Sequence, residues 1–205
     1  MPKQTFFNLP EDKRNTLIEA AEKEFSTVPL MKASISNIIK MAGIPRGSFY
    51  QYFENIEDLY FYLLNETTKK SKENFILLLK KHDGDIIDAI TEMYYQFLVQ
   101  LPDEYEHTFL KNAFLNLTHK ADYSLTDVFG AADNNEHFKE ITKLINKQRL
   151  NIKEDKELYY ILQIITAVVF RNFIEKFSKE LTDDEAIHNF KMEINLLKRG
   201  LYKQE

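Results

Sequence analysis

The sequence contains no cysteine. Disulfides, thiol catalysis and cysteine-based zinc sites are thereby excluded, and a reducing, cytoplasmic setting is expected. Glycine and proline are scarce, five of each in 205 residues. A fold of many strands needs more turn residues than that, so the sparse punctuation favours long helices. No run approaches the ~18 apolar residues of a membrane span. The best candidate, Ile161–Phe170, is too short, and residues 1–9 lack the apolar run of a secretory signal. No membrane partner is expected. What is present is enough apolar material, 44% of residues, to fill a packed core.

The net charge of −5 looks unfavourable for nucleic acid, but it is unevenly spread. Residues 1–53 hold seven Lys/Arg against five Asp/Glu, a balance of +2, and the remainder carries −7. A mildly basic head on an acidic body is compatible with a local phosphate-binding surface.

Helical periodicity begins early. Leu17, Ile18, Ala21 and Phe25 recur at 3/4 spacing, which predicts a first helix over residues 10–25. Pro10 suits its first turn, and Glu11 and Asp12 complement the positive end of its dipole. Ser34 is the expected N-cap of a short second helix that buries Ile35, Ile38, Ile39 and Ala42. Gly43 ends that helix in the left-handed conformation, and Pro45 enforces the break. A third short helix follows from Arg46 to about Phe53, with Phe49 and Phe53 turned inward. Two short helices joined by a glycine-containing turn make a helix-turn-helix. Asn55 caps a long fourth helix reaching about Lys80, and His82-Asp-Gly84 marks its end. Further helices are expected near residues 85–100, 104–118, 134–150, 155–179 and 183–202, with breaks at Pro102 and over Gly130–Asn135.

The segment from Ile35 to Leu59, ISNIIKMAGIPRGSFYQYFENIEDL, closely resembles the helix-turn-helix signature of the TetR family of bacterial transcriptional regulators. That pattern runs from an apolar helix through Ala-Gly-apolar, a small or polar residue, a basic residue, Gly, Ser/Thr, an apolar residue and Tyr to aromatic-Phe and an acidic helix start with Leu. The match covers roughly residues 10–60; beyond them the resemblance is one of helical architecture. It implies an all-α fold: a three-helix DNA-binding domain over residues 1–55, then a helical ligand-binding and dimerisation domain over residues 56–205. Two positions depart from the pattern. Pro45 stands where the family often has a polar residue, and Ile56 where it usually has a phosphate-binding lysine. Either one phosphate contact per subunit is missing or a basic residue such as Lys40 substitutes.

The residues support this reading without the name. The major groove, ~12 Å wide, admits one helix, and the exposed face of that helix reads base edges. With Phe49 and Phe53 inside, Arg46, Gly47, Ser48, Tyr50, Gln51 and Tyr52 are left outside. Arg46 can bond a guanine edge or a phosphate, and Gln51 an adenine edge. Tyr50 and Tyr52 can donate to phosphates or pack on thymine methyls, and Gly47 admits a close backbone approach. The resemblance assigns DNA contacts to these same positions, and backbone contacts to Ser34, Ser36 and Asn37 at the start of the preceding helix. Spacing alone fits an αα corner equally well; the full constellation favours double-stranded DNA as the partner.

In the body, Ile161, Ile165, Val168 and Phe173 belong to a helix apolar on nearly all sides, and Phe190, Ile194 and Leu197 form a 3/4-spaced seam on the last helix. The resemblance implies that this pair forms a homodimer, whose two-fold axis matches a palindromic operator. It also implies an inducer pocket among the middle helices. Their aromatics, with Phe97, Phe109 and Phe114 as candidate lining, suit a small lipophilic effector, although core packing explains them equally. His107, His119 and His137 show no metal-binding spacing, and no phosphate loop or nucleophile motif occurs. No metal, cofactor or catalysis is expected. The leading function is a ligand-released repressor. A ligand-free architectural DNA-binding protein and a helical enzyme or lipid carrier with a structural head are the alternatives.

Overall fold

A computed structural model of the chain describes residues 1–99, 104–116, 125–129, 136–154 and 156–202. The helices are α1 (Gln4–Phe7), α2 (Glu11–Thr27), α3 (Ile35–Ala42), α4 (Arg46–Tyr52) and α5 (Ile56–Lys81), followed by α6 (Ile86–Val99), α7 (Glu104–Leu115), α8 (Glu136–Leu144), α9 (Glu157–Ser178) and α10 (Asp183–Leu201). Among the described residues there is no β-strand; Leu150 and Tyr202 form an isolated antiparallel bridge. The all-α architecture matches the sequence reading. Pro102 and Gly130–Asn135, expected as breaks, lie outside the described residues.

The chain divides into two compact units, and the boundary differs from the expected one at residue 55. The first unit holds residues 1–67 and also α7; the second holds residues 68–99 and the described residues from Leu125 onward. α5 therefore begins in one unit and ends in the other.

In the first unit α2 buries Leu17, Ala20, Ala21 and Phe25 on one face, which packs against α3 and α7. α7 belongs here for a physical reason. Phe109 fits against Phe25 and Tyr60, with ring centroids 6.2 and 5.2 Å away. The Asn112 side-chain amide donates to the carbonyls of Phe25 and Ser26, at 2.9 and 3.0 Å, at the open end of α2. Burial among these rings pushes the Tyr60 hydroxyl pKa up to about 12. α1, unforeseen in the sequence, buries Phe6 against Phe53 and Tyr62.

In the second unit α10 packs on α6 and α9. Tyr94 of α6 stacks on Phe190 of α10, centroids 4.1 Å apart, and lies 4.7 Å from Phe173 of α9. The turn after α5 puts Asp83 and Gly84 at positive φ, 52° and 76°. A Cβ on Gly84 would fall 2.3 Å from the Leu144 carbonyl oxygen, so only glycine lets these backbones meet. The helix expected over 134–150 is shorter: α8 stops at Leu144 and a 3-10 turn, Lys147–Arg149, follows. Gly84 accepts the Asn146 amide at 3.0 Å, and the Asn146 side chain accepts from Gln148 N–H, so local bonds replace helical ones.

Asp85 is the polar knot of this unit. Its buried carboxylate accepts the amides of Ile87 and Asp88, capping α6, and the Tyr202 hydroxyl at 2.6 Å. Arg149 and Lys198 lie 3.2 and 3.4 Å from its other oxygen. Burial alone would raise its pKa; the hydrogen bonds from Tyr202 and Asp88 and the Lys198 charge outweigh it, and the net shift is downward. α9 is long and apolar enough to cross a membrane by length and composition, but half of that stretch is buried within the chain, as in a core helix.

Candidate nucleic-acid interface

α3 and α4 form the helix-turn-helix that the sequence outlines. Gly43 ends α3 in the left-handed region, φ 65°, and Pro45 precedes α4. Ile38, Phe49 and Phe53 are fully buried, which fixes the inward faces of both helices. Ile35, Ile39 and Ala42 are half-buried.

Ser34 stands at the N-cap of α3, but its side chain makes no capping bond. The buried Glu24 of α2 takes over. Its carboxylate accepts the Ser34 amide at 2.8 Å and the Asn37 side-chain amide at 3.1 Å. In a capping box a carboxylate three residues into the helix would bond the N-cap amide. That position here is Asn37, and a carboxylate from another helix replaces it. Asn37, expected at DNA, is exposed, but its side-chain nitrogen is engaged by Glu24. Sequence reasoning missed Glu24, because its 3/4 spacing with buried Ala20 and Ala21 was the only signal.

Arg46, Gly47, Tyr50 and Gln51 are exposed, and Ser48 and Tyr52 half-buried. Arg46 donates to the Ser36 hydroxyl at 3.3 Å and the Tyr50 hydroxyl at 3.4 Å, and sits 6.0 Å from the Tyr50 ring centroid. Ser36, Arg46 and Tyr50 thus form one surface cluster across both helices. No acidic residue occurs from Ile35 to Tyr52, and Lys40 and Arg46 are the basic ones, so α3 and α4 themselves offer phosphate no repulsive charge. A Cβ on Gly47 would meet nothing within 4 Å. The fold does not demand glycine there.

The other end of α4 is closed by residues far away in sequence. Lys3 donates its ammonium to the Tyr50 carbonyl and its backbone amide to the Tyr52 carbonyl, both at 2.8 Å, and the Thr5 hydroxyl donates to the Gln51 carbonyl. No periodicity announces these contacts.

Residues 17–63 match the tetR family of bacterial regulatory proteins, and residues 85–201 match the tetracyclin repressor-like C-terminal domain. The chain belongs to the TetR family of bacterial transcriptional regulators. Membership places it among regulators, not enzymes. YdgC of Bacillus subtilis (strain 168), an uncharacterized HTH-type transcriptional regulator, is 30% identical over 93 residues, 42% of this chain. The chain spans about half the length of that relative, 48%. Two solved structures share the TetR-family fold. SmeT, the repressor of the Stenotrophomonas maltophilia multidrug efflux pump SmeDEF, has TM-score 0.68 at 15% identity, covering 95% of this chain and 94% of its own. NalD, the secondary repressor of the MexAB-OprM multidrug efflux pump in Pseudomonas aeruginosa, has TM-score 0.61 at 17% identity, covering 95% and 98%.

Within this TetR-family chain most residues expected at a dimer seam are drawn into the core of the chain itself. Ile161, Ile165, Phe173, Phe190 and Ile194 are buried inside the single chain, and Val168 and Leu197 are half-buried. A side chain without exposed surface has none to give a partner. The exposed apolar side chains of α9 and α10 are Tyr160 (58%), Ile164 (47%), Met192 (58%) and Leu196 (64%). The three candidate pocket aromatics fall in different units. Phe97 belongs to the second unit, 4.5 Å from Phe173 between centroids, whereas Phe109 and Phe114 are core residues of the first. The second unit has an open cleft of about 350 Å³ lined by His82, Asp88, Thr91, Glu92, Tyr95 and Lys191. There Glu92 accepts from Lys81 and lies 2.6 Å from His82 Nε2, and hydrogen bonds from both hold its pKa down. His137 Nε2 lies 3.0 Å from the Val128 carbonyl oxygen. His119 and the side chain of His107 lie outside the described residues.

Proposed function

We propose that this regulator is a cytoplasmic homodimeric repressor that binds a palindromic operator through α4 and is released by a small lipophilic ligand. The carboxylate-free cluster of Ser36, Arg46 and Tyr50 carries the reading. It is outward-facing, and it lies on helices fixed from behind by Phe49 and Phe53. Gly47 is compatible with it: the space beside its backbone is open, so a partner can come close there. Ser34, Gln51 and Tyr52 would add contacts at the two ends of the cluster, and Lys40 would supply the phosphate contact that Ile56 cannot.

Family members act as dimers on DNA, and the exposed Tyr160, Ile164, Met192 and Leu196 are the apolar surface suited to a second copy. Repression is supported by the fold shared with SmeT and NalD, both repressors of efflux pumps. A ligand site in the second unit is supported by two buried hydroxyls there, of Tyr94 and Thr166, with no hydrogen-bond partner among the described residues. Such groups cost about 1–3 kcal/mol each, so a guest with a polar head would gain by meeting them. Release requires the ligand to favour the state that binds DNA less well.

The test is selection of genomic fragments by the purified protein, beside Tyr50→Ala and Ile164→Glu variants. Wild type should enrich a palindrome, Tyr50→Ala should lose it, and Ile164→Glu should be monomeric and bind weakly. No enrichment by wild type, or equal enrichment by Tyr50→Ala, would remove α4 from recognition.

A further inference from the structure

We infer that residues 3–6 are a positioning element for the recognition helix: they complete the C-terminal end of α4, and operator affinity depends on them without their touching DNA. The inference rests on the proposal that α4 reads DNA.

α4 has seven residues and, with Pro45 before it, no side-chain N-cap. Two turns are too few to hold a helix by propagation alone. The last carbonyls of any helix lack intrahelical partners. In α4 the Phe49 carbonyl takes the Phe53 amide at 2.9 Å, and the next three are taken in order by Lys3 Nζ, Thr5 Oγ1 and Lys3 N. The Lys3 ammonium also puts positive charge at the negative end of the helix dipole. Phe6 anchors the segment, fully buried with its ring centroid 4.9 Å from Phe53 and 5.2 Å from Tyr62.

The braced carbonyls belong to Tyr50, Gln51 and Tyr52, the residues that present side chains for recognition. When the last turn frays, those side chains lose their common face, and apparent affinity falls with the fraction of molecules still in register. Lys3 is basic and close to the interface, so a phosphate contact is the competing role. It is separable by salt, because a lost phosphate contact lowers the salt slope of binding by about one per head.

Full-length Lys3→Met/Thr5→Val is compared with wild type by residue-resolved amide exchange without DNA, and by operator titration at several salt concentrations. Loss of two hydrogen bonds should speed exchange about tenfold over residues 49–53, with α2 and α5 unchanged. Affinity should fall by up to the same factor at unchanged salt slope. Thr5→Ser, which keeps the donor, should behave as wild type. Unaltered exchange in α4, equal acceleration across α2 and α5, or a slope reduced by one would each overturn the inference. The exchange arm needs no DNA, so it can fail while the regulator reading stands, and the reverse.

Discussion

The two units close their helices by different means. In the second, α10 opens with its own capping box: Thr182 accepts from the Glu185 amide, and Glu185 accepts the Thr182 amide. α6 starts on Asp85, its immediate neighbour in sequence. In the first unit three ends are served from a distance, although the start of α5 keeps a local cap in Asn55. Glu24 holds the start of α3, Asn112 the end of α2, and Lys3 and Thr5 the end of α4. A helix that must leave one face bare for a groove cannot gain stability by burying it. α3 and α4 are short and half-naked, so the remainder of the unit supplies what the helices of the body largely supply for themselves.

The largest effect that would break this contrast is expected at Phe53. Phe53→Ala removes the ring shared by Phe6, Phe49 and Tyr62 and should cost about 3–5 kcal/mol in urea unfolding. A cost under 1 kcal/mol would mean that the head core is not what fixes α4. Next comes Asp85→Ala, expected at about 3 kcal/mol, because it strands the Tyr202 hydroxyl, two amides and the cations beside it. Asp85 also contributes to the acid sensitivity of the second unit. Its folded pKa lies below the unfolded value of about 3.9, so its contribution is present above that value and fades as pH falls through the folded pKa. Lys198 is raised, so its contribution is full below about pH 10 and is lost as pH climbs through its folded pKa. Asp85→Asn should flatten the acid limb of a stability–pH profile; an unchanged limb would assign it elsewhere. The smallest effect sharpens the contrast: Thr182→Ala should cost about 1 kcal/mol, visible as a modest drop in Tm.

Much of the fold was legible because its signals are local. Gly43, Pro45, Asn55 and the His82–Gly84 turn each act within a few residues of themselves, and each marks the boundary expected of it. The outward face of α4 was legible because Phe49 and Phe53 leave only one way to turn it. What escaped is non-local. Nothing near Lys3 or Thr5 says that their donors end on residues 50–52. The apolar ring around α9 marks burial on several sides but not which side the same chain covers. Ile161 and Ile165 therefore read as well for a partner as Ile164 does, and only packing separates them. The aromatic residues of α6 and α7 read alike, yet Phe97 and Phe109 serve different cores.

The Asn112 and Phe109 contacts on α2 bear on how such a regulator can be recombined. The DNA-binding unit is not one stretch of gene. A chimera joined near residue 67 would carry the recognition face to a new body but leave behind the side chains that finish α2, and the new body would have to bring equivalents. Crossovers that preserve both stretches, or that replace only the outward residues of α4, keep the cassette whole.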